Sequence, residues 1–333
     1  MPRTQALQDW IKQLFPGQPV TLAPASADAS FRRYFRATLA DGSTRIIMDA
    51  PPEHENCQPY LDIAQLLNAA GVHVPVIYAQ NLDQGFLLLS DLGNTTYLDV
   101  LKSHPDSAAA LYREAATALL AIQKANHPGL LPEYDRNLLA RELQLFPEWY
   151  VARHLDISLS DAQQSVLNNA FEKILANNLA QPRVFVHRDY HSRNLMLSEP
   201  NPGILDFQDA VFGPYTYDLV SLYRDAYISW EEEQELDWVI RFWELARKEQ
   251  LPVPADFADY WRDYEWMGVQ RQLKVLGIFA RLYHRDGKDG YLADMPRVMA
   301  YLRRTAERYI DLKPLLLLLD ELENRESRAG YTF

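Results

Sequence analysis

The chain has 333 residues, a formal net charge of −12, one cysteine (Cys57) and 48% hydrophobic residues. That length favours two lobes over one compact core, and a lone cysteine excludes an internal disulfide or a zinc site of several thiolates and fits a reducing compartment. The excess of 45 acids over 33 bases argues against a nucleic-acid binder. No apolar run approaches the ~20 residues that span a bilayer, and residues 1–5 lack a signal-peptide pattern. A cytoplasmic protein without nucleic-acid or membrane partners is expected.

Periodicity and turn residues predict the elements in chain order. Residues 5–15 form an amphipathic helix stopped by Pro16-Gly17. Residues 20–23, 31–39 and 44–48 are strand-like, with Asp41-Gly42 as the hairpin turn between the last two. Residues 60–70 are helical and stop at Gly71, and residues 74–78 and 86–89 are two further strands. Beyond Asp91-Leu92-Gly93 helical periodicity dominates, interrupted over residues 184–213, where short strands alternate with polar turns. The expected architecture is α+β and bilobal, with a small β-rich N-lobe over 1–92 and a large, mostly helical C-lobe over 93–333. The tail after Glu321 is charged and expected to fray.

The informative stretch is Val184-Phe-Val-His187-Arg188-Asp189-Tyr190-His191-Ser192-Arg193-Asn194, followed by Gly203-Ile-Leu-Asp206-Phe207-Gln208. It places two acids and an amide at the ends of short strands. Phosphoryl transfer needs that inventory: one carboxylate to accept the proton of an attacking hydroxyl, and an amide and a second carboxylate as hard oxygen ligands for Mg²⁺ on ATP. The segment matches the H-R-D-x-x-x-x-N loop of the protein-kinase fold, with Asp206-Phe207-Gln208 in the D-F-G position. Asp189 is thus the candidate catalytic base, and Asn194 and Asp206 the candidate metal ligands. His187 and His191 are four apart, as in a zinc-binding H-E-x-x-H helix, but Arg188 replaces the glutamate and the flanks are strand-like. His284-Arg285-Asp286 repeats the tripeptide, but Tyr291 stands where asparagine is required. This second copy reads as a decoy.

These motifs resemble the aminoglycoside-phosphotransferase-like family of small-molecule kinases, whose loop reads H-x-D-x-H-x-x-N. The resemblance covers residues ~20–225. It implies ATP and Mg²⁺ as cofactors, with His191 as loop scaffold or phosphate contact. Phe86-Leu-Leu-Leu-Ser-Asp91 looks like the hinge whose backbone, at Leu89 and Asp91, would bind adenine, and Asp218 looks like a structural brace. Residues 30–36, 46–52, 142–149 and 270–279 resemble the branch that phosphorylates acetylated amino sugars at the anomeric hydroxyl. The expected partners are a small sugar and a nucleotide, and the expected state is a monomer. A kinase for aminoglycosides or choline, and a nucleotide-binding pseudokinase, stay as alternatives.

The chain also departs from the family pattern. Met48 stands where the third strand should carry lysine, and the helix over 60–70 offers no clear glutamate to pair with one. The phosphate loop is Ala25-Ser-Ala-Asp-Ala-Ser30 instead of glycine-rich, leaving Ser26 and Ser30 as donors. Arg32, Arg33 or Arg36 is expected to replace the lysine charge, because arginine forks suit phosphate. The family places an acceptor wall between hinge helix and catalytic loop, which nominates Glu142, Trp149 and Arg153. Arg271 and Lys274, three apart on a helix, could receive a carboxylate or a phosphate. The five tryptophans after residue 229 read as packing.

Overall fold

The computed structural model describes residues 2–27, 31–125 and 129–324, and for Pro2, Ser26 and Ala27 the backbone alone. It divides into two compact units: Met1–Asp99 with Arg193–Asp209, and Val100–Ser192 with Ala210–Phe333. A single boundary near residue 92 does not describe that returning segment. The molecule is α+β, as the composition of elements implied.

The chain opens with helix α1 (Pro2–Leu14), then strands β1 (Thr21–Ala27), β2 (Arg33–Thr38) and β3 (Thr44–Asp49). Helix α2 (Gln58–Ala69) precedes β4 (Ile77–Asn81) and β5 (Phe86–Ser90). The five strands form one antiparallel sheet in the order β1-β2-β3-β5-β4. Leu7, Trp10 and Ile11 recur at helical spacing on α1 and bury against Ala37, Ile47, Phe86 and Leu88 of the sheet. The β2–β3 hairpin turns as its residues dictate: Gly42 takes φ +82°, and the Asp41 carboxylate accepts from Ser43 N and Oγ at 2.9 and 2.7 Å. Gly85, at φ +67°, lies so close to Ala50 that a Cβ there would fall 1.8 Å from its carbonyl oxygen.

Helix α3 (Tyr97–Ser103) leads into α4 (Ala108–Lys124), α5 (Arg136–Leu145) and a π-helical stretch, Phe146–His154. Helix α6 (Asp161–Ala180) starts on a capping box of Ser160 and Gln163. Short strands follow: β6 (Arg183–Val186), β7 (Leu195–Met196), β8 (Gly203–Ile204) and β9 (Val211–Pro214). β6 pairs with β9 in the larger unit, and β7 with β8 in the smaller. Helices α7 (Tyr217–Tyr223), α8 (Glu232–Lys248), α9 (Phe257–Asp286), α10 (Met295–Arg308) and α11 (Lys313–Leu322) complete the chain. The 30-residue α9 is the axis of the larger unit and packs against α5, α6, α7 and α10. Gly277 lets α9 approach the end of α5, since a Cβ there would lie 2.4 Å from Leu145 backbone. Among the described residues no helix is long and apolar enough to cross a membrane. The charged tail over 325–333 lies outside the described residues.

Candidate active site

In the larger unit β6 delivers the chain into His187-Arg188-Asp189. The buried carboxylate of Asp218, in the first turn of α7, accepts from the backbone N–H of His187 at 2.6 Å and of Arg188 at 2.9 Å. Those bonds hold Arg188 in the left-handed region, φ +77°, a conformation that costs about 1 kcal/mol or more for a residue with a side chain. The loop has further anchors. Tyr190 Oη donates to Ala115 O at 2.8 Å, and Ser192 N and Oγ donate to Asp225 at 2.9 and 2.5 Å. Asp218 therefore braces the loop, as its place in the motif implied. Burial pushes its carboxyl up to about 7, against the two backbone donors, with the Asp189 charge raising and Arg271 lowering it.

Around this loop lies one buried ionic cluster. Glu142 of α5 accepts from Arg188 Nη2 at 2.7 Å and from Tyr134 Oη, and lies 3.0 Å from Lys274 Nζ of α9. Lys274 also donates to Tyr217 Oη at 2.8 Å. Burial alone would push Asp189 up, but Lys274, His191, Arg188 and His187 outweigh it and hold its carboxyl below the usual range. Burial likewise opposes ionisation of Glu142, and Lys274 and Arg188 prevail. These charges favour the ionised form of Asp189.

In the smaller unit the β7–β8 hairpin sets Asn194 beside Asp206. Leu205 N donates to Asn194 O at 2.9 Å, and the side chains meet with Asn194 Nδ2 3.4 Å from Asp206 Oδ2. Asp206 takes φ +64°, a second left-handed non-glycine at the site. Gln208 Nε2 donates to its other oxygen at 2.8 Å, and Phe207 packs on Tyr60 at 4.7 Å between ring centres. One carboxylate and one amide, with Asp209 nearby, make a hard-oxygen set. Among the described residues no cluster of three or more His, Cys, Asp or Glu is built for a metal. So sparse a set suits Mg²⁺, which keeps waters and phosphate oxygens in its shell, and does not suit a metal needing a full protein cage.

The same unit sorts the three candidate arginines. Arg33 is committed to the fully buried Asp49, which also holds Arg3. Arg36 forks onto Asp91 at 2.5 and 3.0 Å and reaches Gly93 O at 2.9 Å. Of the three, Arg32 turns toward Asp206, a candidate metal ligand: its Nε donates to Glu55 at 3.1 Å, and its Nη1 lies 4.0 Å from Asp206 Oδ1. Burial works against the Arg32 charge, but Tyr34 and Glu55 outweigh it. Glu55, in the loop before α2, is the carboxylate that pairs with Arg32.

The remaining candidates fall in several places. Leu89 lies within β5, in register with Ile46 on one side and Ile77 on the other, and Asp91 also accepts from Gly93 N at 3.0 Å. The Asp91 carboxylate thus ties the segment after β5 to Arg36 of β2. Ser30 and the side chain of Ser26 lie outside the described residues. His191 meets Tyr227 edge-on at 5.4 Å. Trp149 is half-buried and Arg153 exposed on the π-helical stretch, and neither joins the Glu142 cluster. Lys274 does join it. Arg271 is buried on α9. Arg285 and Asp286 of the repeated tripeptide pair with each other at the exposed end of α9. Trp238 and Trp266 are core residues. Sequence reasoning missed Glu55 and Tyr134, which belong to no motif, and the contact of Tyr217, beside Asp218, with Lys274; tertiary packing brings all three in.

The residue types and spacing of Asp189, Asn194 and Asp206 match the loop and D-F-G pattern of kinase-type phosphotransferases. A model described as the phosphotransferase enzyme family matches residues 21–257, and the chain belongs to that family. It is 50% identical, over 336 residues and all of both chains, to the N-acetylmuramate/N-acetylglucosamine kinase of Neisseria meningitidis serogroup B. It is 51% identical over 330 residues to the protein of that name from Pseudomonas aeruginosa, covering 96% of this chain and 97% of that one. Among solved structures, choline kinase LicA from Streptococcus pneumoniae matches with a TM-score of 0.65 at 14% identity, over 91% of this chain and 100% of that one. That likeness is one of fold, and it is the protein-kinase-like fold expected. The enzyme transfers phosphate to an alcohol group.

Proposed function

We propose that this enzyme is an ATP-dependent sugar kinase acting on N-acetylmuramate and N-acetylglucosamine, transferring phosphate to the anomeric C1 hydroxyl in cytoplasmic recycling of peptidoglycan sugars. The observation that carries the substrate is the half-identical match, end to end, to kinases of that name. Asp189 orients the acceptor hydroxyl and takes its proton. Asn194 and Asp206 would hold Mg²⁺, which neutralises charge on the transferred phosphoryl group. Arg32, steadied by Glu55, supplies the phosphate-facing cation that Met48 does not. That substitution answers the pseudokinase alternative, and the Arg188–Lys274 cluster does not suit a cationic acceptor such as choline. The enzyme acts as a monomer.

Two measurements test this reading. ADP release should be seen with the two acetylated sugars and not with aminoglycosides or choline; turnover of the amines alone would overturn it. Arg32→Ala should raise the KM for ATP by about 10-fold or more, the worth of a charge-assisted contact. Arg33→Ala and Arg36→Ala should instead lower the melting temperature, because each removes one charged partner, from Asp49 and Asp91 respectively. An unchanged KM in Arg32→Ala would assign the cationic role elsewhere.

A further inference from the structure

Helix α9 carries Arg271 one turn ahead of Lys274. Arg271 is only 5% exposed, yet no hydrogen bond or ion pair joins it to any described residue. It lies within electrostatic reach of Asp218, as Asp189 does. Asp218, however, is engaged by the backbone donors of His187 and Arg188 on its two oxygens. The other nearby carboxylate, Glu142, serves Lys274 and Arg188. Of the three cations in this region, two are bonded to a carboxylate and Arg271 is not.

The nitrogens of Arg271 are not among the fully enclosed, unpartnered polar atoms of the described residues, so the guanidinium stays open to an anion arriving from solvent. Its planar fork suits a carboxylate held by two parallel hydrogen bonds. Arg271 belongs to the unit that carries Asp189, whereas Asn194, Asp206 and Arg32 belong to the other. That placement favours an anion of the acceptor over one of the nucleotide. The two sugars of the proposed function, on which this inference rests, differ by one group: N-acetylmuramate bears a lactyl ether carboxylate and N-acetylglucosamine bears none. We infer that Arg271 binds the carboxylate of an acidic acetylated amino sugar and sets the preference between acidic and neutral acceptors.

The test compares kcat/KM for N-acetylmuramate and N-acetylglucosamine in Arg271→Gln, Arg271→Lys and the wild type. In Arg271→Gln the acidic-to-neutral ratio should fall by about 10- to 100-fold, the range of a charge-assisted pair. Arg271→Lys, which keeps the charge and loses the fork, should recover part of the ratio. An equal loss on both sugars would make Arg271 structural and overturn the inference, as would an unchanged ratio. A rise confined to the KM for ATP would place a phosphoryl group there instead and also overturn it. Wild-type enzyme that phosphorylates neither sugar would overturn the functional reading and this inference with it. Turnover of both with an indifferent Arg271→Gln would overturn the inference alone.

Discussion

Asp189→Asn should lower kcat by about 10²–10⁴-fold, the usual worth of a positioned general base. Nucleotide affinity should change little, since the substitution is isosteric and the candidate metal ligands are other residues. Because Lys274 is the strongest of the charges that overcome burial of Asp189, the pH profile gives a second readout. If Asp189 is the base, the acid limb of kcat/KM in the wild type should lie below the ordinary aspartate value, since the carboxylate must be ionised to accept a proton. Lys274→Met removes the largest opposing charge, leaves desolvation dominant and should move that limb to higher pH. A limb that stays in place, or an Asp189→Asn variant with wild-type turnover, would remove Asp189 from the role of base.

Glu142→Gln should be the most destabilising single change at the site, by about 3–5 kcal/mol, because it leaves the buried Lys274 and the half-buried Arg188 without their carboxylate. Arg188 and Lys274 both converge on it, at 2.7 and 3.0 Å. The sign with pH follows from its depressed folded-state pKa. Its stabilising contribution is present above the unfolded value of about 4.5 and is lost as pH falls through the lower folded value. Denaturant melts should therefore show a large wild-type advantage near neutrality that narrows toward acid. Equal stability of the two proteins at pH 7 would contradict the cluster's role.

Much of the candidate site could be nominated from the sequence because phosphoryl transfer fixes residue type and spacing together. The β6 strand, the loop to Asn194 and the returning Asp206 are local features, and the structure keeps each on its expected element. The sheet was legible for the same reason: alternation and Asp41-Gly42 define a hairpin without long-range information. Partner choice was not legible. Nothing local distinguishes Arg32, which faces Asp206 and Glu55, from Arg33 and Arg36, which are bound to Asp49 and Asp91; the β2–β3 register sets Arg33 opposite Asp49, and Arg32 lies ahead of the strand. Likewise Lys274 and Arg271 share one helix, and only the packing of α5 and α7 shows that Glu142 and Tyr217 engage the first and leave the second. Trp149 and Arg153 were nominated by position along the chain, yet the π-helical stretch keeps them out of the cluster that Glu142 joins.

The most direct test of the central claim is phosphorus NMR of the product formed from N-acetylglucosamine, ATP and Mg²⁺. A phosphate resonance coupled to the anomeric proton, giving the sugar 1-phosphate, is the predicted result. Phosphate coupled to the C6 protons, or no phosphorylated sugar at all, would contradict it.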